Sequence, residues 1–376
     1  MTKLYIIRHA EAEGNLYRRV HGHYDSRITD MGHEQLEALQ LRFSQIPIDA
    51  VYSSDLQRAV TTARAISVPR GLEIQTTPRL REVNMGHWED STWARLERED
   101  LEQLQNFSRN PGRWDIGSNE KFEALKARLV SVVSEIAARH PGETVAIVSH
   151  GNAIRTLLTH VLNLPSERFG ESAHCDNAGV SLLEVDEGGM RIVFMNDNSH
   201  IPPEISTFAR QRWWREEKRK DGNMDFFPLN LEKDRDIGKY LSHRRAAWTE
   251  FFGNTEDFCE KSVLETARAQ SKANPRAVVE AVLGEQSAGL LELDLIQGQE
   301  EGVGTIACFY LAPAFRGQRL AIQFVGHAVS VFRPLERGRL ALWIGETHQE
   351  AYGFFRRYGF QKTGEKGPLW ILEKDI

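Results

Sequence analysis

The chain of 376 residues has little cysteine: Cys175, Cys259 and Cys308 are odd in number and far apart. That excludes a disulfide framework and a cysteine zinc site, and it suits a reducing compartment. No apolar run nears the roughly 18 residues that a membrane span needs. The opening Met-Thr-Lys-Leu-Tyr runs straight into an expected strand, without the apolar stretch of a signal peptide. The expected location is the cytoplasm, away from membranes. A basic excess is also missing. The net charge of −6 argues against a general nucleic-acid binder, so an anionic substrate must be drawn by a local cluster of Arg and His. There is no internal repeat, and nothing here sets an oligomeric state. What is present is 41% hydrophobic residues in a length that suits two domains.

Over the first 200 or so residues, short apolar runs alternate with amphipathic segments, the pattern of an α/β domain with a parallel sheet. Leu4–Ile7, Ala50–Tyr52 and Val145–Val148 read as strands. Thr29–Ser44, Asp55–Ile66 and Glu120–Arg139 read as helices, with Thr29 or Asp30 as the first N-cap. Val180–Val185 and Arg191–Met195 form an expected hairpin turning at Glu187–Gly189. Arg210–Asp221 (RQRWWREEKRKD) is dense in charge of both signs. It reads as a linker or a solvated helix face rather than a nucleic-acid patch. A second, β-rich unit follows. Its strands are expected at Phe226–Leu231, Ala277–Leu283, Ala288–Leu295, Gly304–Leu311, Leu340–Ile344 and Leu369–Leu372. Its helices are expected at Ile237–Phe252, Asp257–Lys272, from about Gln318, and at Gln349–Tyr358. The boundaries are 1–205, a charged linker or helix over 206–224, and 225–376.

Two apolar strands end in histidine. Leu4-Tyr5-Ile6-Ile7 delivers Arg8-His9, and Val145-Ala146-Ile147-Val148-Ser149 delivers His150-Gly151. Ligand sites in open α/β sheets lie at the carboxyl ends of strands. An imidazole beside a guanidinium suits attack on phosphate, the first as nucleophile and the second to neutralise oxygens. Gly151 permits close approach of a ligand to the N-terminus of the helix that follows. Arg58 falls in the first turn of a helix after a strand, and Glu82 in a loop with Gly86, His87 and Trp88.

These motifs resemble the histidine phosphatase (phosphoglycerate mutase-like) superfamily, whose Arg-His-Gly-Glu signature stands here as Arg8-His9-Ala10-Glu11. Asn15, Gly22, Asp25, Thr29, Gly32, Gln35, the segment Ser53–Ala63, Glu82 with Gly86 and Trp88, Ser149-His150-Gly151 and Asn177 follow in order. The resemblance implies a three-layer αβα domain that hydrolyses small phosphomonoesters without a metal or other cofactor. It makes His9 the nucleophile and Glu82 the proton donor to the leaving oxygen, with burial beside Trp88 favouring the acid form. His150 is the second catalytic histidine, and Arg8, Asn15, Arg58 and Gly151 bind the phosphate. His21, His23, His33 and His87 are expected at the surface or rim. Ala10, Arg27 and Asn119-Glu120 depart from the usual pattern. Mutases of the superfamily usually carry Trp before the matching Asn and a longer insertion before the second His. Here Gly14 precedes Asn15 and the stretch from Glu82 to His150 is short, which favours a phosphatase over a mutase. Trp93–Trp114 is expected to form a helical lid.

The second unit carries Leu311-Ala312-Pro313-Ala314-Phe315-Arg316-Gly317-Gln318-Arg319-Leu320-Ala321, a strand end and Pro-turn leading to a helix. Such a turn presents backbone N–H groups to a pyrophosphate. With Ala351–Phe360 it resembles the acetyl-CoA-binding core of the GNAT acetyltransferases, an α+β fold. The resemblance implies acetyl-CoA and an amine acceptor as partners. Leu311, Arg316, Gly317, Gln318, Arg319 and Ala321 would hold the coenzyme. Arg319 replaces the middle glycine of the family's Arg-x-x-Gly-x-Gly/Ala loop. Phe355 stands at the usual proton-donating Tyr, with Tyr352 and Tyr358 as substitutes, and the general base is Glu292 or Glu301. A GNAT-like unit that binds the coenzyme without acetylating, and regulates or scaffolds the phosphatase, is the alternative.

Overall fold

The computed structural model describes residues 1–211 and 222–376, and the chain divides into two compact units, Met1–Asp221 and Gly222–Ile376. Most of the charged segment Arg210–Asp221 lies outside the described residues.

In chain order the first unit contains β1 (Thr2–Arg8), α1 (Glu13–Tyr17), α2 (Asp30–Phe43), β2 (Ala50–Ser53), α3 (Gln57–Ser67), β3 (Ile74–Thr76), α4 (Trp93–Glu99), α5 (Leu101–Arg109), α6 (Phe122–Arg139), β4 (Thr144–Ser149), α7 (Gly151–Val161), β5 (Val180–Asp186), β6 (Gly189–Asp197) and α8 (Thr207–Arg210). The sheet order is β3-β2-β4-β1-β5-β6. β1, β2, β3 and β4 run parallel, and β5 and β6 are antiparallel additions. Both faces of the sheet are covered, which is why its strands read as unbroken apolar runs. One face packs Leu4, Ile6, Val145 and Ile147 with Val133 and Ile136 of α6 and Leu157 of α7. The other packs Ile7, Val51 and Val148 with Leu39 and Phe43 of α2 and Ala63 and Ile66 of α3. Each such side chain contributes roughly 1.5–3 kcal/mol by leaving water. The parallel register sets Arg8 against Ser149, so His9 and His150 emerge side by side at one sheet edge.

The helix expected from Asp55 begins at Gln57, because Asp55 is drawn into a bidentate pair with Arg81 and Ser54 Oγ accepts from the Leu56 N–H. The expected lid is two short helices, α4 and α5, broken at Asp100. Their inner side chains join Trp88 and Trp114 in a small aromatic core.

The second unit contains β7 (Met224–Pro228), α9 (Asp234–Phe252), α10 (Glu260–Ala273), β8 (Val278–Leu283), β9 (Gln286–Asp294), β10 (Val303–Leu311), α11 (Ile322–Phe332), β11 (Arg339–Gly345), α12 (Gln349–Arg357), β12 (Gln361–Lys366) and β13 (Leu369–Asp375). The sheet order is β12-β13-β11-β10-β9-β8-β7. All neighbours are antiparallel except β10 and β11. Those two pair only from Val303/Arg339 to Ile306/Leu342, and a register shift at Ile306/Cys308 follows on the β9 side. The helix expected from Gln318 starts at Ile322. Gly317 (φ +73°) and Arg319 (φ +57°) are left-handed, which keeps this stretch a loop.

Candidate active site

β1 ends by presenting Arg8 and His9 to a cluster to which α1, the start of α3 and the start of α7 contribute Asn15, Arg58 and His150. His9 is buried, and its Nδ1 lies 2.7 Å from the Ala10 carbonyl. A carbonyl only accepts, so Nδ1 carries the proton and Nε2 is left with its lone pair. Burial, then Arg58 and Arg8, hold the His9 pKa well below the usual 6.5. The ring is therefore neutral at pH 7. Its orientation is fixed from behind: the Ala10 N–H donates to Thr62 Oγ1 and Asn177 Nδ2 donates to the His9 carbonyl.

His150 is the N-cap of α7 and fully buried, its ring centroid 5.2 Å from that of His9. Neither of its ring nitrogens has a hydrogen-bond partner among the described residues. Burial, Arg58 and His9 hold its pKa well below 6.5. Arg8 donates through Nη1 to the Cys175 carbonyl, while its Nε is buried and without a hydrogen-bond partner among the described residues. Such orphans cost about 1–3 kcal/mol each unless a ligand meets them. The Arg8 guanidinium lies against Gly151, where a Cβ would sit 3.4 Å from Nε.

Arg58 is buried in the first turn of α3 and donates to the carbonyls of Tyr24 (2.8 Å) and Gly22 (2.7 Å). Burial pushes its pKa down to about 10, opposed by Glu82, Asp25 and Glu89, so it stays charged at neutral pH. Asn15 accepts at Oδ1 from the Ala12 N–H (3.1 Å) and from Asn177 Nδ2 (3.3 Å).

Glu82 is buried. Trp88 donates its indole N–H to Asp100 and belongs to the lid core. The Glu82 carboxylate instead accepts the N–H groups of Val83 (3.0 Å), Asn152 (3.0 Å) and Ala153 (2.8 Å), the last two in the first turn of α7. Three donors and a helix N-terminus suit a carboxylate. Oε1 takes two of them, leaving Oε2 with one open lone pair for a proton.

Around this centre, three residues that sequence reasoning passed over or misplaced hold the loops. Arg128 on α6 donates to the carbonyls of Arg79, Arg81 and Glu82 and pairs with Glu120. Asn119 braces the turn through Ile116 N and the Trp114 carbonyl. The departures at Asn119-Glu120 thus serve the scaffold. His21, expected at the rim, is only 7% exposed at its side chain and lies over Gly14, where a Cβ would meet the ring at 2.6 Å. It stacks on Tyr24, with Asp90 at 3.8 Å from Nε2. His33 and His87 are exposed. His23 reaches the Glu82 carbonyl at 3.0 Å.

The Histidine phosphatase superfamily (branch 1) matches residues 4–198. The chain belongs to the histidine phosphatase superfamily. Phosphoserine phosphatase 1 of Hydrogenobacter thermophilus is 28% identical over 201 residues, 54% of this chain and 95% of that protein. Phosphoglycerate mutase-like protein 4 of Arabidopsis thaliana is 34% identical over 204 residues, 53% of this chain and 87% of its own. Among solved structures, Bacillus stearothermophilus YhfR superposes with a TM-score of 0.52 at 31% identity, covering 54% of this chain and all of that one. The superfamily fold therefore accounts for the first unit. The Acetyltransferase (GNAT) family matches residues 241–360 of the second.

In that GNAT unit Leu311 ends β10, and the loop to Ala321, the N-cap of α11, carries the other candidate residues. Arg316 is engaged: it donates to the Leu311 carbonyl (2.8 Å) and to both oxygens of Glu250 on α9 (2.9 and 2.7 Å). Gln318 donates to the Ala314 carbonyl. Arg319, where the family's loop has a glycine, takes a positive φ (+57°), a conformation that glycine adopts freely. Of the two candidate bases, Glu301 is exposed, whereas Glu292 is buried, 3.1 Å from Tyr240 Oη and 3.2 Å from Arg244 Nε. Burial raises its pKa, against the pull of Arg244. Phe355 is buried, and Tyr352 and Tyr358 rest edge-on against Trp370 and Phe354. Among the described residues no group of three His, Cys, Asp or Glu side chains could hold a metal, and no helix is long and apolar enough to cross a membrane.

Proposed function

We propose that the first unit hydrolyses small phosphomonoesters through a phosphohistidine at His9. The observation that carries this is the His9 ring: neutral, held as the Nδ1–H tautomer by the Ala10 carbonyl, and beside His150, with no hydrogen-bond partner on Nε2 among the described residues. Nε2 attacks phosphorus in line with the leaving oxygen. Arg8, Arg58, His150 and Asn15 spread positive charge and donors over the equatorial oxygens, while Gly151 keeps the start of α7 open to them. Glu82 Oε2 passes a proton to the leaving oxygen, then takes one from the water that cleaves the phosphohistidine. The substrate class is small phosphorylated metabolites, supported by the Hydrogenobacter relative named as a phosphoserine phosphatase. Hydrolysis is favoured over mutase action because Gly14, covered by the His21 ring, stands where mutases usually carry Trp.

The second unit binds acetyl-CoA as a substrate for transfer to an amine. The 316–321 loop with its two left-handed residues supports this, as does the parting of β10 from β11 beyond Ile306. The test of the whole reading is a phosphorylated intermediate. Wild-type protein quenched during turnover of labelled substrate should carry acid-labile label that His9→Ala lacks. Equal labelling in the variant would overturn the assignment.

A further inference from the structure

The backbone from His21 to Tyr24 is held between two opposite charges. On one side three consecutive N–H groups converge on the Glu89 carboxylate: Gly22 to Oε2 (3.0 Å), His23 to Oε1 (2.7 Å) and Tyr24 to Oε2 (2.9 Å). The Met85 N–H supplies a fourth bond, to Oε1 (3.1 Å). Each oxygen thus receives two donors, and all the acceptor capacity of the carboxylate is used. On the other side the carbonyls of Gly22 and Tyr24 accept from Arg58, with the His21 carbonyl at 3.4 Å. The His21–Gly22 and Gly22–His23 peptide dipoles therefore point their positive ends at Glu89 and their negative ends at the guanidinium. Glu89 also packs on Gly22 so tightly that a Cβ there would lie 2.4 Å from Oε1. The neighbouring backbone is laced to the same loop, through Val20 N–H to the Ser91 carbonyl and Asp90 N–H to the Val20 carbonyl.

We infer that Glu89 is a positioning residue for phosphate binding: through the peptide units 22–24 it fixes the carbonyls that aim Arg58 at the phosphoryl oxygens. Arg58 needs such a frame. Among the described residues it has no direct carboxylate partner, and two of its nitrogens are committed to carbonyls whose direction decides where the remaining N–H groups point. The charges facing it are Glu82, Asp25 and Glu89 in its favour and Arg8 against, with His9 and His150 neutral beside it.

The inference rests on the phosphatase reading. Glu89→Gln is the test, because whichever oxygen becomes the amide nitrogen, two of the four N–H groups lose their acceptor. Inhibition of p-nitrophenyl phosphate hydrolysis by inorganic phosphate should weaken about tenfold, the scale of one charge-assisted hydrogen bond. The loss should also fail to add to that of Arg58→Lys, since both act on one contact. A role in folding alone would lower the melting temperature, leave the phosphate constant unmoved and add in full. A folded Glu89→Gln with wild-type phosphate inhibition overturns the inference. Should that variant not fold, Glu89→Asp keeps both oxygens but withdraws them, and wild-type phosphate affinity there overturns it equally. Wild-type protein that neither hydrolyses phosphomonoesters nor binds phosphate would sink the phosphatase reading itself.

Discussion

The two units treat the polar side chains of their candidate sites in opposite ways. In the first, Arg8 Nε and both nitrogens of His150 are buried without a protein acceptor among the described residues. In the second, Arg316 of the candidate pyrophosphate loop is bonded to Glu250 and to the Leu311 carbonyl. Orphaned buried donors are unstable in an empty protein and are retained where a ligand completes them. An arginine paired to a carboxylate must first release that partner. The first unit leaves buried polar groups that an anion would complete, whereas in the second the loop arginine already has a carboxylate partner.

The largest effect separating the two should come from His9→Ala. If the first unit is a phosphohistidine enzyme, hydrolysis of p-nitrophenyl phosphate falls at least about a thousandfold, because the covalent route is lost. Acetyl-CoA binding by calorimetry should be unaffected. Residual hydrolysis within tenfold of wild type would remove the basis of the contrast.

Next comes Glu82→Gln. The amide can fill one N–H acceptor site but cannot give up a proton, so turnover should drop by about a hundredfold. The drop should be larger for an alkyl phosphate than for p-nitrophenyl phosphate, whose leaving oxygen needs little protonation. Equal losses on both would mean that Glu82 acts only by capping α7.

How much of this was legible beforehand follows from burial. β1 and β4 are covered on both faces, so their apolar runs and terminal histidines stood out in the sequence. The edge strands Ile74–Thr76 and Gln361–Lys366 are mostly exposed on both faces and carry no pattern to read. Arg8, His9, Arg58, His150 and Gly151 were legible because each stands at a strand end or a helix start, whereas Asn15 lies inside a five-residue helix. Their supports were not. Glu89 does its work by accepting backbone N–H groups, which every residue has, so no side-chain partner in the sequence pointed to it. The backbone N–H groups that Glu82 accepts were equally hidden, for the same reason.

A smaller effect should appear in stability against pH. His9 and His150 are buried and held neutral, with pKa values below 6.5. The unfolded chain takes up these protons near pH 6.5 and the folded unit does not. Their contribution is therefore complete above pH 6.5 and falls as the pH is lowered toward the folded values. The loss is up to about 1.4 kcal/mol per pH unit for each histidine. The melting temperature of the first unit should decline from pH 6.5 to 5.5, less so in His150→Asn. Tungstate should oppose the decline by giving the protonated rings an anion. A melting temperature flat over that range would contradict the neutral pair.

The smallest expected effect bears on the second unit. Arg316 and Glu250 are about half exposed, and exposed pairs are worth about 0.2–1 kcal/mol. If this pair competes with a pyrophosphate, Glu250→Gln frees Arg316 without disturbing the left-handed path at Gly317 and Arg319. Acetyl-CoA should then bind about 1.5- to 5-fold more tightly by calorimetry, and the gain should shrink in high salt, which already screens the pair. Arg316→Gln should weaken binding and abolish the effect of the first substitution, because nothing remains to be released. Unchanged affinity in Glu250→Gln would show that the pair is no barrier. Weaker affinity would show that Glu250 instead holds Arg316 in its binding pose, as Glu89 holds Arg58 in the other half, and the two units would then treat their arginines alike.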